Sequence, residues 1–168
     1  PIGHVEAGLR SFNMKMPEEI NRILSDRVSK WLFCPTQTAV DNLHREGYDN
    51  FQSQISLSGD VMYDAILYYS KHAEECSRIL EKLNLEPKEY ILATVHRAEN
   101  SDNINRLKNI ISGFANANKT VIWPIHPRTK KQLKIYGLDL PTSIKIIEPV
   151  GYLDMIMLEK HASIIATD

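Results

Sequence analysis

PIGHVEAGLRSFNMKMPEEINR, residues Pro1–Arg22, reads as strand, loop and helix. Ile2 to Val5 is a short apolar run that stops at Glu6-Ala7-Gly8. A carboxylate at the end of an apolar strand is costly to bury unless it has a partner or a task. Gly8 lets the backbone turn sharply, and Arg10 follows on the loop. Pro17 with Glu18 and Glu19 beside it marks a helix start. Proline fits the first helical turn, and the positive end of the helix dipole favours carboxylates there. Two separate elements therefore each deliver a carboxylate, Glu6 and Glu18. Brought to one place, such a pair suits general acid/base chemistry on a neutral substrate.

Strand and helix continue to alternate beyond this stretch. From 17 to 30 the spacing is helical, with Ile20, Ile23, Leu24, Val28 and Trp31 on one side. Residues 31–34 form a short apolar strand closed by Pro35, and Thr36 caps a helix over 37–46 that ends at Gly47. A strand over 54–57 leads to the break Ser58-Gly59-Asp60, where the domain boundary is placed, dividing 1–59 from 60–168. One long helix is expected over 61–83, then a buried strand over 90–95. Ser101 or Asp102 caps the next helix. Strands over 120–125, 144–147 and 163–167 alternate with helices over 129–136 and 152–160. Such alternation means α/β architecture, with parallel sheets and helices on both faces.

Composition narrows the function classes. An apolar content of 43% and a charged content of 24% are those of a soluble globular protein. The net charge of −1 gives no reason to expect a nucleic acid or another polyanion as partner. No apolar run is long enough to cross a membrane. Cys34 and Cys76 read as two buried thiols rather than a disulfide framework, so the cytoplasm is the expected compartment. No HxxxH, CxxC or EF-hand pattern occurs around His4, His44, His72 or His161, and no structural metal is expected. No P-loop, GxSxG elbow or complete GxGxxG occurs. Both ends read as strands without flanking turns, which suggests a segment of a longer protein.

In doubly wound sheets, ligands bind beyond the carboxyl ends of the strands. The polar residues falling there are Glu6, His96-Arg97-Ala98-Glu99-Asn100, His126-Pro127-Arg128, Glu148 and Asp168. A His and an Arg that leave a buried strand just before a helix can bind phosphate, by charge and by the free N–H groups of the helix end.

HVEAGLR (4–10) followed by PEE-x-NR (17–22) resembles the non-hydrolysing UDP-N-acetylglucosamine 2-epimerases. Further matches are SGDVMYDA (58–65), with Asp60 where the family usually has Asn, VHRAEN (95–100), and PIHP (124–127), with Arg128 where Asn is common. The resemblance implies a GT-B fold, two Rossmann-like domains facing a cleft. Both would be incomplete here, with 1–59 ending the first and 60–168 beginning the second, UDP-binding one. It implies an isomerase that interconverts UDP-GlcNAc and UDP-ManNAc, a cell-envelope polysaccharide precursor. UDP is eliminated and added back, and the proton at C2 exchanges. Glu6, Glu18 and His96 are the implied catalytic residues, all facing one cleft. Arg10, Arg97, Glu99, His126 and Met155 are the implied substrate-binding residues, Met155 through its backbone at the uracil. No nicotinamide or obligate metal is implied, and a homodimer is expected. The family's Gly-Asp-Thr loop would lie upstream and its Ser-Gly-Gly-x-Gln-Glu-Glu stretch downstream, so residues 1–168 alone are expected to be inactive. The alternatives are a non-catalytic nucleotide-sugar binding module, a hydrolysing 2-epimerase and a GT-B glycosyltransferase. The module would not need two carboxylates, and the others are not expected to carry both motifs.

Overall fold

The computed structural model describes residues 1–168. It comprises two compact units, Pro1–Leu67 and Tyr68–Asp168. The division falls inside the helix that begins just after the expected boundary. No helix is long and apolar enough to cross a membrane.

The first unit is a parallel sheet of β1 (Gly3–Val5), β2 (Trp31–Cys34) and β3 (Gln54–Leu57), in that order. Leu32 pairs with His4 on one side and Ile55 on the other. The connecting helices are α1 (Pro17–Val28) and α2 (Gln37–Arg45), followed by a 3-10 turn over Tyr48–Asn50. Its small core is Ala7, Leu32, Cys34, Ala39, Leu43 and Tyr48. Thr36 caps α2 as expected, its hydroxyl accepting from the Ala39 amide. Helix α1 buries Glu19 and Asp26, and Ile20, Leu24 and Val28 are exposed. Both buried carboxylates find several donors, as burial requires.

In the second unit, β4 (Tyr90–Thr94), β5 (Thr120–Pro124), β6 (Ile144–Ile147) and β7 (Ile164–Thr167) form a parallel sheet in the order β6-β5-β4-β7. The chain winds from β4 outward to β6, then returns to place β7 on the other side of β4. Cores lie on both faces. Val121, Trp123, Leu107 and Ile111 belong to one, and Leu92, Ile122, Ile156 and Leu158 to the other. The helices are α3 (Val61–Cys76), which runs in from the first unit, α4 (Ile79–Leu83), α5 (Ala98–Ser101), α6 (Ile104–Ala115), α7 (Pro127–Ile135) and α8 (Tyr152–His161).

Three local expectations are corrected. The single helix over 61–83 is two. The Ser77 amide closes α3 on Ala73, its hydroxyl accepts from the Ile79 amide, and the same hydroxyl donates to Asp154 at 2.5 Å. A serine offering the backbone such partners breaks a helix that apolar spacing would continue. Cys34 is buried as expected but Cys76 is exposed, because α3 ends there. The cap of α6 is Asn103, whose side-chain oxygen accepts from the Asn105 and Arg106 amides. Ser101 is inside α5, and the Asp102 carboxylate is taken by Arg128 and Gln132.

Candidate active site

In the first unit the candidate residues lie on and around the loop that leaves β1. Glu6 has φ 68, in the left-handed region. For a residue with a Cβ this is strained, by about 1–3 kcal/mol, and it persists only where the surroundings impose it. The surroundings here are specific. The Ala7 amide donates to the Phe33 carbonyl at 3.0 Å. The Gly8 amide donates to the Asp26 carboxylate at 3.2 Å, and the Gly8 carbonyl accepts from the Asn42 side chain at 3.0 Å. Gly8 itself has φ 77 and packs so closely that a Cβ would stand 2.3 Å from the Ala39 carbonyl oxygen. Further along, the Ser11 and Phe12 amides both donate to Glu19, at 2.9–3.0 Å.

The two adjacent glutamates of the PEE motif therefore differ in kind. Glu19 is 1% exposed and holds the loop and Arg22. Glu18 is exposed. Neither the Glu18 nor the Glu6 carboxylate has a hydrogen-bond or ion-pair partner, and Glu6 is half-buried. Burial opposes the charge on Glu19, but the Ser11 and Phe12 amides and Arg22 outweigh it and hold the carboxyl below its ordinary value of 4.5. Lowering the pH must then protonate a group that the native state keeps ionised, so this contribution to stability is complete above pH 4.5 and is lost as the pH falls from there through the lowered native value. Glu19→Gln is expected to flatten that acid limb. Chemical denaturation between pH 3 and 7 checks this, and an unchanged pH slope would contradict it.

Arg10, expected as a charge partner for substrate, is turned inward. Its guanidinium binds Glu46 through two bonds of 2.7 Å and Asp26 through one of 2.7 Å, and it donates to the Leu9 carbonyl as well. Its side chain is 1% exposed. Burial opposes the charge, and the two carboxylates overcome it, raising the guanidinium above its ordinary range. On the far side of Asp26 stands His4, its Nδ1 at 2.6 Å. Asp26, fully buried, is thus a common acceptor for strand, loop and arginine. Sequence reading missed it, since Ser25-Asp26-Arg27 looks like ordinary helix surface. The available signal was its spacing of seven from Glu19, two turns on, opposite the apolar stripe.

In the second unit the candidate residues gather where β4 and β7 end side by side, the switch point of the sheet. Thr94 and Thr167 are partners in register and their hydroxyls bond at 2.9 Å. One residue on, the Asp168 carboxylate accepts from the His96 and Arg97 amides at 3.0–3.2 Å and from the Asn100 side chain at 3.0 Å. His96 Nδ1 lies 3.5 Å from the same carboxylate. Burial raises the Asp168 carboxyl, but Asn100, the two amides and His96 prevail and lower it. The His96 and Arg97 amides, just ahead of α5, are therefore occupied by Asp168. What projects outward is side chain. His96, Arg97 and Glu99 are exposed, and Arg97 and Glu99 have no side-chain partner.

His126 caps α7, its Nδ1 accepting from the Arg128 amide at 3.2 Å. An acceptor at Nδ1 puts the proton of the neutral ring on Nε2. Thr129, fully buried, anchors the same turn to the Val95 carbonyl at 3.1 Å. His96, His126 and Met155 line one cavity of about 250 Å³, together with Val95, Pro124 and Val150. No group of three or more metal-binding side chains occurs.

Parallel α/β units, the second with polar groups collected at its switch point, define a Rossmann-like scaffold. Comparison with known proteins narrows the class. A family model described as UDP-N-acetylglucosamine 2-epimerase matches residues 1–168, and the chain belongs to that family. It is 52% identical to a UDP-N-acetylglucosamine 2-epimerase homolog of Methanococcus maripaludis, over 99% of this chain and 47% of that protein. It is 45% identical to the UDP-2,3-diacetamido-2,3-dideoxy-D-glucuronate 2-epimerase of Pseudomonas aeruginosa, over 100% of this chain and 46% of that protein. Among solved structures, the Methanocaldococcus jannaschii UDP-GlcNAc 2-epimerase in complex with UDP-GlcNAc and UDP superposes with a TM-score of 0.87 at 48% identity, covering 99% of this chain and 48% of that one. The chain spans about half the length of the curated relatives it matches.

Proposed function

We propose that the protein is a UDP-N-acetylglucosamine 2-epimerase. The observation that carries this reading is the loop after β1. Arg10, Glu19, Asp26 and Glu46 are all paired, and the one carboxylate on that loop, Glu6, is left unpaired in a strained conformation. A half-buried carboxylate held in a strained conformation beside paired neighbours is placed to meet another partner.

In this reading Glu6 and Glu18 are the acid/base pair. One takes the C2 proton while the C1–O bond to UDP breaks and a C1=C2 bond forms. UDP then adds back at C1, and a proton reaches C2 on the opposite face. The side chains of His96, Arg97, Glu99 and His126, with Met155, receive the nucleotide diphosphate. The similarity to an epimerase solved with UDP-GlcNAc and UDP supports that assignment. Arg10 acts from inside, by holding the loop. The reaction needs no redox step, since hydrogen is removed and returned as a proton.

The test is to incubate UDP-GlcNAc with the full-length protein, meaning this chain with whatever its gene encodes on either side, and to follow the sugar by NMR. UDP-ManNAc should accumulate to a steady mixture that is also reached when the reaction starts from UDP-ManNAc. A second reading is favoured by one finding, the 45% identity to the Pseudomonas enzyme named for a diacetamido uronate. The same assay with UDP-2,3-diacetamido-2,3-dideoxy-D-glucuronate decides it. Turnover of that sugar with none of UDP-GlcNAc would replace the substrate and keep the chemistry.

A further inference from the structure

Both buried carboxylates of α1 point their bonds at the same short loop. Asp26 accepts from the Gly8 amide and the Arg10 guanidinium, and Glu19 accepts from the Ser11 and Phe12 amides. They stand seven residues apart, about two helical turns, so they share one face of the helix. The segment they hold runs between two non-glycine residues with left-handed backbones, Glu6 at φ 68 and Phe12 at φ 56. Nothing in these residue types favours that conformation. It is imposed, by the bonds of Ala7 to Phe33 and of Asn42 to Gly8 and by the loop donors that Asp26 and Glu19 hold.

We infer that Asp26 and Glu19 form a clamp that positions the Glu6 carboxylate, and that they act on the reaction only through Glu6. The inference rests on the acid/base role proposed for Glu6. A carboxylate offers several acceptor sites and no donor, so it can hold two loop donors at once. Asparagine in place of Asp26 keeps the shape but removes the charge. The Gly8 amide and the Arg10 guanidinium share one carboxylate oxygen and His4 takes the other, so the amide oxygen still accepts from both loop donors, through weaker bonds than a carboxylate makes. The clamp slackens, and Glu6 is free to leave the left-handed region. Displacement of a reacting group by about an ångström can cost roughly 10²-fold in rate.

The experiment is a double-mutant cycle in the full-length protein with UDP-GlcNAc, using Glu6→Gln, Asp26→Asn and the combination. Folding is checked by circular dichroism, and UDP affinity is measured separately. Asp26→Asn is expected to lower kcat by about 10²-fold with UDP affinity within twofold. The combination should be no slower than Glu6→Gln alone, because a residue acting through Glu6 has nothing left to act on. Losses that multiply, or a folded Asp26→Asn with kcat within twofold of the parent, would overturn the inference. Glu19→Gln combined with Glu6→Gln runs the same cycle from the other end of the loop and decides the matter if Asp26→Asn does not fold. Full turnover by Glu6→Gln alone overturns the acid/base reading, and the clamp falls with it. That outcome is distinguishable because it involves neither clamp residue.

Discussion

Glu6→Gln in the full-length protein lowers kcat by about 10²–10⁴-fold, the range of a general acid–base contribution, and leaves UDP affinity within about twofold. Glutamine has nearly the shape of glutamate and tolerates the same backbone. The Glu6 carboxylate holds no partner whose loss would disturb the loop. What disappears is the ability to take or return a proton, so the loss falls in kcat rather than in binding. Glu18→Gln should behave alike, being exposed and unpaired at the first turn of α1. Glu19→Gln, one residue on, should differ by also losing stability, because its carboxylate is spent on the Ser11 and Phe12 amides. Steady-state kinetics with UDP titration by calorimetry reads the first two cases, and chemical denaturation sets Glu19→Gln apart from them. Unchanged turnover in both Glu6→Gln and Glu18→Gln would make the two residues structural.

Gly8→Ala is expected to lose about 2–5 kcal/mol of stability, from left-handed strain and overpacking together. The added Cβ meets backbone, the Ala39 carbonyl oxygen at 2.3 Å and its carbon at 2.8 Å, and then Leu43 at 3.1 Å. No side-chain rotation relieves a clash with a helix backbone. Either α2 retreats from the loop, or the loop lifts and surrenders the bonds to Asp26 and Asn42. A loss of that size is a large share of the roughly 5–15 kcal/mol that stabilises a typical domain. Gly59 supplies the control. It too has a positive φ, 86, but a Cβ there meets nothing within 4 Å. Gly59→Ala should therefore cost only the strain, about 1–2 kcal/mol. Urea denaturation of both variants checks the pair, and equal losses would show that packing at Gly8 is not the cause.

Much of the fold was legible because its signals are local. The strands Trp31–Cys34, Gln54–Leu57 and Ile144–Ile147 were read with the bounds the structure shows, since short apolar runs closed by proline, glycine or polar breaks need no tertiary information. What escaped depends on partners distant in sequence. Helix spacing alone places Asp26 outward; it is buried because His4, Gly8 and Arg10 supply donors to it from 16 to 22 residues away. Residues Glu18 and Glu19 cannot be told apart without knowing where the Ser11 and Phe12 amides lie. Arg10 reads as a free charge until Glu46, 36 residues on, is seen against it. The break at Ser77 depends on Asp154. Asp168 could have been weighed more heavily, because a carboxylate closing the strand next to β4 stands beside whatever leaves β4.

The proton at C2 tests the central claim most directly. Two carboxylates that exchange protons with water, one removing and one returning, must label the product when the reaction runs in D₂O. The full-length protein, given UDP-GlcNAc in D₂O, should form UDP-ManNAc carrying deuterium at C2, with no free ManNAc in the early phase. UDP-ManNAc that fully retains its original C2 hydrogen would contradict the account, and so would free ManNAc as the first sugar product.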